Sequence, residues 1–352
     1  MPGELIERVR AAAATKTPLA IRAGGTKDFY GNAVTGDVLD PRSYAGIVAY
    51  EPTELVVTAR CGTPLAQMEA ALDEHGQMLA FEPPHFGAAA TVGGCVAAGL
   101  SGPRRASAGA VRDFVLGVKV LTGTADVLSF GGTVMKNVAG YDVSRLMAGS
   151  LGTLGVILEV SLKVLPKPRA EATLRFEADE ATALARMNEW AGRPLPISAT
   201  AWRDGALHLR LSGAPAALAA ARSKLGGESI DDAGFWRRLR EHTDAFFVVN
   251  APLWRLSLPS AAEPVALAGD QLIEWGGAQR WLRTTLPAQV IRKRAQALGG
   301  HATLFRGAGY ENAHTSGAFT PLAPAIAAIH RRLKAEFDPA GIFNPGRLYS
   351  DF

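Results

Sequence analysis

Three runs of glycine and small residues in the first half of this 352-residue chain have the make-up of ligand cradles. The first is Arg22-Ala23-Gly24-Gly25-Thr26-Lys27, which closes the apolar run Leu19–Ala23. Glycine lets a backbone approach a ligand closely and turn successive N–H groups into one concavity, the usual way a loop holds a phosphate. The spacing matches neither GxGxxG nor GxxxxGK[ST], so this run alone reads either as a tight turn or as a phosphate cradle of another design. The second run is Pro83-Pro84-His85-Phe86-Gly87, then Ala90-Thr91-Val92-Gly93-Gly94, then Gly99 and Ser101-Gly102. The third is Lys136-Asn137-Val138-Ala139-Gly140-Tyr141-Asp142, followed by Gly149-Ser150-Leu151-Gly152-Thr153-Leu154-Gly155-Val156-Ile157. Three such runs in succession exceed what chain reversal needs.

Other reactive residue types are sparse. The seven histidines, His75, His85, His208, His242, His301, His314 and His330, never come closer than ten residues apart. The i, i+4 pairing that suits a metal on a helix is missing, so no metal site is expected. Only His85, inside the second run, is a candidate to touch a ligand or shape its site. Cys61 and Cys95 are too few and too far apart for a disulfide framework, a zinc site or an iron–sulfur site. Arg104-Arg105 and Arg112 stand beside the second run. Arginine's planar fork suits phosphate or carboxylate, but with no base or metal string beside them a solvated loop or a subunit contact is the expected reading. Tyr141-Asp142 is open in the same way. The pairs Phe235-Trp236 and Phe246-Phe247 read as core or interface.

The elements that must position these loops follow from periodicity. Leu5, Ile6 and Val9 predict an opening helix, Leu19–Ala23 a short strand, Leu55–Arg60 a second strand, and Leu65, Met68 and Leu72 a helix after Pro64. Val115–Leu121 and Val127–Phe130 predict a hairpin about Thr122-Gly123-Thr124-Ala125. Thr153–Val164 predicts a strand ending at Pro166 and Pro168. Beyond it the expected order is strand Ala172–Phe176, helix Asp179–Trp190, strands Ile197–Arg203 and Leu207–Leu211, and helix Pro215–Leu225. That order predicts an antiparallel sheet with helices on one face. Leu253–Leu258, Gln271–Trp275 and Trp281–Thr284 add strands. Leu322, Ile326, Ile329, Leu333 and Phe337 predict an amphipathic helix that stops before Asp338-Pro339. The fold class is therefore α+β.

Composition sets bounds. With 48% hydrophobic and 20% charged residues the chain is globular, not disordered. The +4 charge comes from scattered arginines and carries no nucleic-acid footprint. Apolar runs reach about ten residues, short of the ~20 a spanning helix needs. The opening MPGELIERVRAAAA has acids and no long apolar core, so no signal peptide is expected, and the two free cysteines fit a cytoplasmic setting.

RAGGTK, ATVGG and KNVAGYDVSRLMAGSLGTLGVI, in this order, resemble the FAD-binding domain of the vanillyl-alcohol oxidase / p-cresol methylhydroxylase superfamily, and FDPAGIFNPGRLY is similar to its closing segment. Within it, PPHFGAAATVGG, SGPRRASAGAVRDFVLG and FGGTVMKNVAGYDVSRLMAGSLGTLGV are most similar to the smaller FAD-binding subunits of bacterial glycolate oxidases. The resemblance implies a two-lobed FAD-binding domain over residues 1–168, a reduced antiparallel cap with helices over 169–300, and a segment, 301–352, returning to the FAD domain. It implies that Arg22, Ala23, Gly24, Gly25, Thr26 and Lys27 wrap the pyrophosphate. Pro84, His85, Thr91, Val92, Gly93 and Gly94 would line the adenosine-to-ribityl stretch. Gly102 and Gly109 would leave room beside the cofactor. Gly149, Ser150, Gly152, Gly155, Val156 and Ile157 would lie against it, and Asn344 would approach from the C-terminal segment. Leu151 stands where many members have glutamate.

Members that oxidise 2-hydroxy acids are longer and carry a histidine-rich string for a divalent metal, which this chain lacks. The stretch Asp28-Phe29-Tyr30-Gly31-Asn32 has no histidine for a covalent flavin bond, so FAD is expected to be non-covalent. The resemblance thus implies an electron-relaying subunit partnered by a larger FAD subunit and an iron–sulfur subunit, cytoplasmic or held peripherally at the inner membrane through the complex. A stand-alone FAD-dependent 2-hydroxy acid dehydrogenase and a cofactor-free scaffold are the competing readings.

Overall fold

The computed structural model describes residues 2–133, 142–232, 234–307 and 317–351. Tyr141, His314 and the front of the third glycine run lie outside the described residues. Helix α1 (Pro2–Thr15) buries Leu5, Val9 and Ala12 along one face. Strands β1 (Leu19–Ile21) and β2 (Asp37–Leu39) pair in parallel. The first strand is two residues shorter than the apolar run suggests, because the backbone leaves the ladder at Arg22 to form the first glycine loop. Strands β3 (Ile47–Glu51) and β4 (Val56–Arg60), helix α2 (Leu65–Asp73) and the short β5 (Gln77–Met78) follow. Helix α3 (Val92–Ala98) is capped by Thr91, whose hydroxyl accepts the Gly94 N–H. After the single-turn helices α4 (Arg105–Ala108) and α5 (Val111–Phe114) come β6 (Val115–Leu121), β7 (Val127–Gly131), α6 (Val143–Leu146), β8 (Val156–Lys163) and β9 (Leu165–Pro166).

Five of these strands form one antiparallel sheet in the order β3-β4-β8-β6-β7. Its β6/β7 hairpin turns where the Thr-Gly-Thr-Ala run predicts. Strand β8 is central and buried almost end to end, which is why its sequence is nearly continuous Val, Ile and Leu.

The second half builds a larger sheet. Its elements are β10 (Ala170–Glu177), α7 (Glu180–Ala191), β11 (Ile197–Arg203), β12 (Ala206–Gly213), α8 (Pro215–Leu225), β13 (Glu228–Ile230), α9 (Phe235–Glu241), β14 (Leu253–Ser257), β15 (Asp270–Glu274), β16 (Gln279–Arg283), α10 (Ala288–Ala297) and β17 (His301–Arg306). The eight strands run antiparallel in the order β13-β10-β12-β11-β15-β16-β14-β17. Leu207, Leu209 and Leu211 alternate inward as predicted and, with Leu174, bury Leu184, Met187 and Trp190 of α7. Trp254, Leu256 and Leu304 cover Ile291 and Ala295 of α10. The opposite face carries Ala199, Ala201, Leu253, Leu272 and Trp281 against Tyr30, Ala98, Leu100 and Leu151. The sheet therefore has α7, α8 and α10 on one face, and α9 with the glycine-loop half of the chain on the other.

A buried ion cluster joins the halves. Glu82 holds φ +48°, an uncommon left-handed conformation that turns its carboxylate into the junction. It accepts from the Arg104 N–H at 2.8 Å and from Arg210 Nη2 at 3.0 Å, and Arg104 also pairs with Glu171. Arg104 is thus a buried intrachain partner, not a solvated or subunit-contacting residue. Burial opposes ionisation of Glu82, but Arg210 and then Arg104 outweigh it and hold the carboxyl below its ordinary range.

The tail helix α11 (Pro324–Phe337) forms where predicted, but its apolar stripe is not its buried face. Ile326 and Ile329 are 45% and 51% exposed, and Lys334 is the residue buried. Its ammonium donates to the Thr153 and Phe343 carbonyls and to Asp338, all at 2.7–2.8 Å. Asp338 in turn accepts the Ile342 and Phe343 N–H groups. Three acceptors around one ammonium outweigh what the isoleucines would gain by burial. Among the described residues no helix is long and apolar enough to cross a membrane.

Replacing Glu82 by Gln leaves Arg210 in the junction without an anion and Arg104 with Glu171 alone. The expected cost is about 3–5 kcal/mol, read as a lower urea midpoint. Because the folded carboxyl is held below its unfolded value near 4.3, this stabilisation is full above that pH and is lost as pH falls through the lower folded value. The acid-side loss should be absent in Glu82→Gln.

Candidate cofactor site

The first glycine loop, α3 and the C-terminal segment enclose a cavity of about 390 Å³. Arg22, Ala23, Gly24, Gly25, Thr26, Lys27, Thr91, Gly94 and Asn344 line it. The backbone N–H groups of Gly24, Gly25, Thr26 and Lys27 donate to no acceptor among the described residues. Four consecutive unclaimed N–H groups at a cavity wall form an anion nest. The glycines themselves answer to neighbouring protein. A Cβ at Gly24 would sit 1.7 Å from the Ala89 carbonyl oxygen, and Gly25 holds φ +67° with its missing Cβ 2.7 Å from Arg22 Nη2. So Gly24 lets the second loop pack on the first, and Gly25 sets the turn that exposes the nest.

The side chains of this loop are spoken for. Arg22 Nε bonds Asp28 at 2.6 Å across the loop. Lys27 donates to the His85 carbonyl at 3.1 Å and lies over the Phe86 ring, and burial lowers its pKa. The nest thus presents backbone, with the charged tips turned to the protein.

A second space of about 80 Å³ adjoins the first and is walled by Gly93, Gly152, Gly155, Val156 and Ile157. Asn344 borders both and acts as a clip. Its Oδ1 accepts the Ile21 N–H at 2.7 Å and its Nδ2 donates to the Leu151 carbonyl at 2.6 Å. Both ends of its amide are used by the chain. Leu151, at the position where glutamate is common, contributes its buried side chain and carbonyl to the same wall.

Other expected residues lie elsewhere. Pro84 and Gly102 border a small space against the cap, and His85 borders a third cleft, its Nε2 2.9 Å from Glu69. Val92 is fully buried core. Gly109 ends α4, and Gly149 packs against Gly99. Ser150 is buried, and its hydroxyl has no partner among the described residues. Among the described residues no three of His, Cys, Asp and Glu are placed to hold a metal.

Sequence reasoning missed Arg347 and Glu241. Arg347 lines the main cavity and donates to the Lys27, Asp28 and Asn32 carbonyls, fixing the far side of the first loop. Glu241 reaches from α9 to accept the N–H groups of His85 and Phe86 at 3.0 and 2.9 Å. The NPGR string offered a signal for Arg347. Nothing local offered one for Glu241, whose partners lie some 155 residues away.

Between the second loop and the cap lie a cleft of about 480 Å³, bordered by His85, Phe86, Arg240, Glu241 and Arg306, and an inner space of about 20 Å³, room for roughly one water. His242, Glu274, Trp281 and Phe305 border the inner space. His242 stacks on Phe247 with centroids 3.8 Å apart, and burial, with Arg306 and Arg255, holds its pKa well below 6.5. Glu274 is completely buried and accepts from Trp281 Nε1 at 2.6 Å and from Gln279 at 3.1 Å. Burial pushes its carboxyl up to about 7 against these bonds.

An anion nest in a glycine-lined cavity, backed by one sheet and closed by a second antiparallel one, defines a binding fold for a phosphate-bearing cofactor. Residues 2–131 match the family model described as an FAD binding domain. The chain is 52% identical to glycolate oxidase subunit GlcE of Escherichia coli (strain K12), over 99% of its own length and 97% of that protein's. It is 33% identical to glycolate oxidase subunit GlcD of Bacillus subtilis (strain 168), over 45% of this chain and 34% of that one. In fold it is similar to an alkyldihydroxyacetonephosphate synthase (TM-score 0.68, 16% identity, 98% of this chain and 76% of that one). The chain belongs to the glycolate oxidase subunit GlcE family.

Glu274 gives a pH test. Its folded pKa lies above its unfolded value, so the folded state keeps a proton the unfolded state releases. This contribution to stability should therefore be lost as pH rises from about 4.5 to about 7, by at most roughly 3 kcal/mol, while burial of neutral His242 acts in the opposite sense over the same range. The difference in urea midpoint between Glu274→Gln and the unaltered chain isolates it and should shift in the variant's favour as pH rises from about 4.5 to about 7.

Proposed function

We propose that this chain is the accessory FAD-binding subunit of a glycolate-oxidising complex, relaying electrons from oxidation of a 2-hydroxy acid, glycolate to glyoxylate. Its partners in this reading are a larger FAD-binding subunit, where the substrate is oxidised, and an iron–sulfur subunit that takes the electrons onward. The observation that carries the reading is the 52% identity to glycolate oxidase subunit GlcE along nearly the whole of both chains. FAD, when bound, supplies a carrier that takes up an electron pair and passes it on.

The chain's own residues fit that cofactor. The N–H groups of Gly24 to Lys27 would hold the pyrophosphate, and the cavity walled by Thr91, Gly94, Leu151 and Asn344 would take the neighbouring part of the molecule. The attachment is non-covalent, since Asp28–Asn32 offers no histidine. Residues 1–168 act as the cofactor domain, 169–300 as a reduced cap and 301–352 as the strap across the cofactor domain. A cytoplasmic complex, held peripherally at the inner membrane, is part of the same proposal.

The geometry also bears on where oxidation occurs. Hydroxy-acid oxidation needs a cation for the carboxylate, a base for the hydroxyl proton and the flavin at one place. Here the space beside Glu274 and Trp281 admits about one water. The wider cleft at Arg306 offers a cation, but its carboxylate, Glu241, is already claimed by the His85 and Phe86 N–H groups, so in this reading the larger subunit takes the chemical step.

Two outcomes follow. Gly25→Val adds a branched side chain at φ +67° and should give a folded chain without flavin, seen as loss of the visible flavin bands at unchanged circular dichroism. Stopped-flow mixing of the FAD-loaded, partner-free chain with glycolate should show no bleaching until the larger subunit is added. Flavin reduction at a useful rate by the chain alone would sink the accessory role and favour a stand-alone dehydrogenase.

A further inference from the structure

Three arginines share one face of the cap sheet. In the strand register Leu253 of β14 lies opposite Arg283 of β16 on one side and Arg306 of β17 on the other, and Arg255 follows two residues along β14. Alternation puts Arg283 and Arg255 on the side of Leu253, and a β-bulge at Phe305 leaves Arg306 on that side too, over the Phe29 and Phe86 rings. Against these three cations stands one paired carboxylate, Asp270, which Arg283 Nη2 meets at 2.5 Å. The other two nitrogens of Arg283 are buried without an acceptor among the described residues. Among the same residues Arg255 donates to the Tyr30 hydroxyl, at 2.9 Å, and to no carboxylate.

Arg306 has no hydrogen-bond acceptor among the described residues. Its guanidinium carbon lies 4.5 Å from the Phe29 ring centroid and 5.2 and 5.7 Å from those of Phe86 and Phe305. Aromatic packing of this kind steadies a guanidinium while leaving its edge donors unclaimed. Burial without a counter-anion lowers its pKa to about 10. Its side chain borders a cavity of about 180 Å³ whose other walls include Phe247, Val249, Leu253 and Arg283. No carboxylate lines this cavity among the described residues.

From this arrangement we infer a binding site for a small organic monocarboxylate, its carboxylate on the Arg306 edge and its carbon body against Phe247, Val249 and Leu253. The chemistry selects the class. A carboxylate matches the planar fork bidentately. By the measure that gives 20 Å³ to one water the cavity has room for about nine, enough for a carboxylate with several further carbons. Inorganic phosphate would desolvate its uncontacted oxygens against apolar walls, so it should be rejected. This site is separate from the cofactor cavity, whose lining includes neither Arg306 nor Leu253.

Isothermal titration of the FAD-loaded full chain with acetate, butyrate, valerate and inorganic phosphate tests the site. Affinity should rise from acetate to valerate, and phosphate should give no heat. Arg306→Gln should weaken valerate roughly ten- to hundredfold with flavin content unchanged, and Arg306→Lys should fall between. Val249→Ser, on an exposed loop, should flatten the gain from acetate to valerate without loss of fold. Absence of heat with every acid, phosphate binding as tightly as valerate, or valerate affinity indifferent to Arg306→Gln would each overturn the proposal.

Discussion

The buried carboxylate of Glu82 is the constraint on which the two halves of this protein depend. Two arginines from opposite sides of the junction, Arg104 and Arg210, converge on it, and Arg104 continues to Glu171. An ion cluster this deep makes little net contribution compared with well-packed apolar groups, but it penalises every arrangement in which one charge is left alone. It therefore sets the register in which the cap sheet sits on the glycine loops. Glu241, reaching from α9 to the His85 and Phe86 N–H groups, repeats the device at the second loop. With the junction fixed, the sheet face carrying Leu253, Leu272 and Trp281 can close over Tyr30, Leu100 and Leu151.

A second set of buried polar contacts builds the cofactor cavity from segments far apart in the chain. Lys334 and Asp338 neutralise each other and consume the stray backbone groups of the closing turn. That knot holds Phe343 beside Leu19 and places Asn344 between Ile21 and Leu151. Arg347, three residues on, fixes the outer limb of the first loop through three carbonyls. The nest at Gly24 to Lys27 keeps N–H groups unclaimed by the described residues at the cavity wall, while the Arg22, Lys27 and Arg347 side chains around it are held by other partners. An anion arriving there meets donors already oriented and pays little reorganisation.

Much of this was legible from local chemistry. The hairpin at Thr122, the Leu207-Leu209-Leu211 alternation and helix α8 after Pro215 each follow from signals a few residues long, and the structure has them where those signals lie. The three glycine runs were legible as a set, and their order pointed to FAD. What stayed hidden depends on partners distant in sequence. Nothing near Arg104 says that Glu82 and Glu171 await it. The stripe Ile326, Ile329 reads as the buried face of α11 until Lys334 is seen to face three acceptors. Likewise Gly24 and Gly25 read as making way for a ligand, whereas their small size first serves Ala89 and Arg22.

The junction also bears on the division of labour within the proposed complex. His242 stacks on Phe247, and Trp281 and Phe305 meet edge to face with centroids 4.8 Å apart. Each aromatic pair contributes about 0.5–1.5 kcal/mol beyond simple burial. Opening a substrate-sized chamber there would separate several of these pairs at once. It would also wet Trp281 Nε1 and Gln279, whose acceptor is Glu274. A two- or three-carbon hydroxy acid has too few atoms to offset that from its own contacts, given a ceiling of about 1.5 kcal/mol per heavy atom for the best small ligands and the cost of losing their freedom. A rigid, aromatic-filled junction beside an open cofactor cavity therefore suits a subunit that holds a redox cofactor in fixed geometry. Electron transfer asks of the protein a fixed distance and little reorganisation, and it asks for no room beside the cofactor for a substrate to turn.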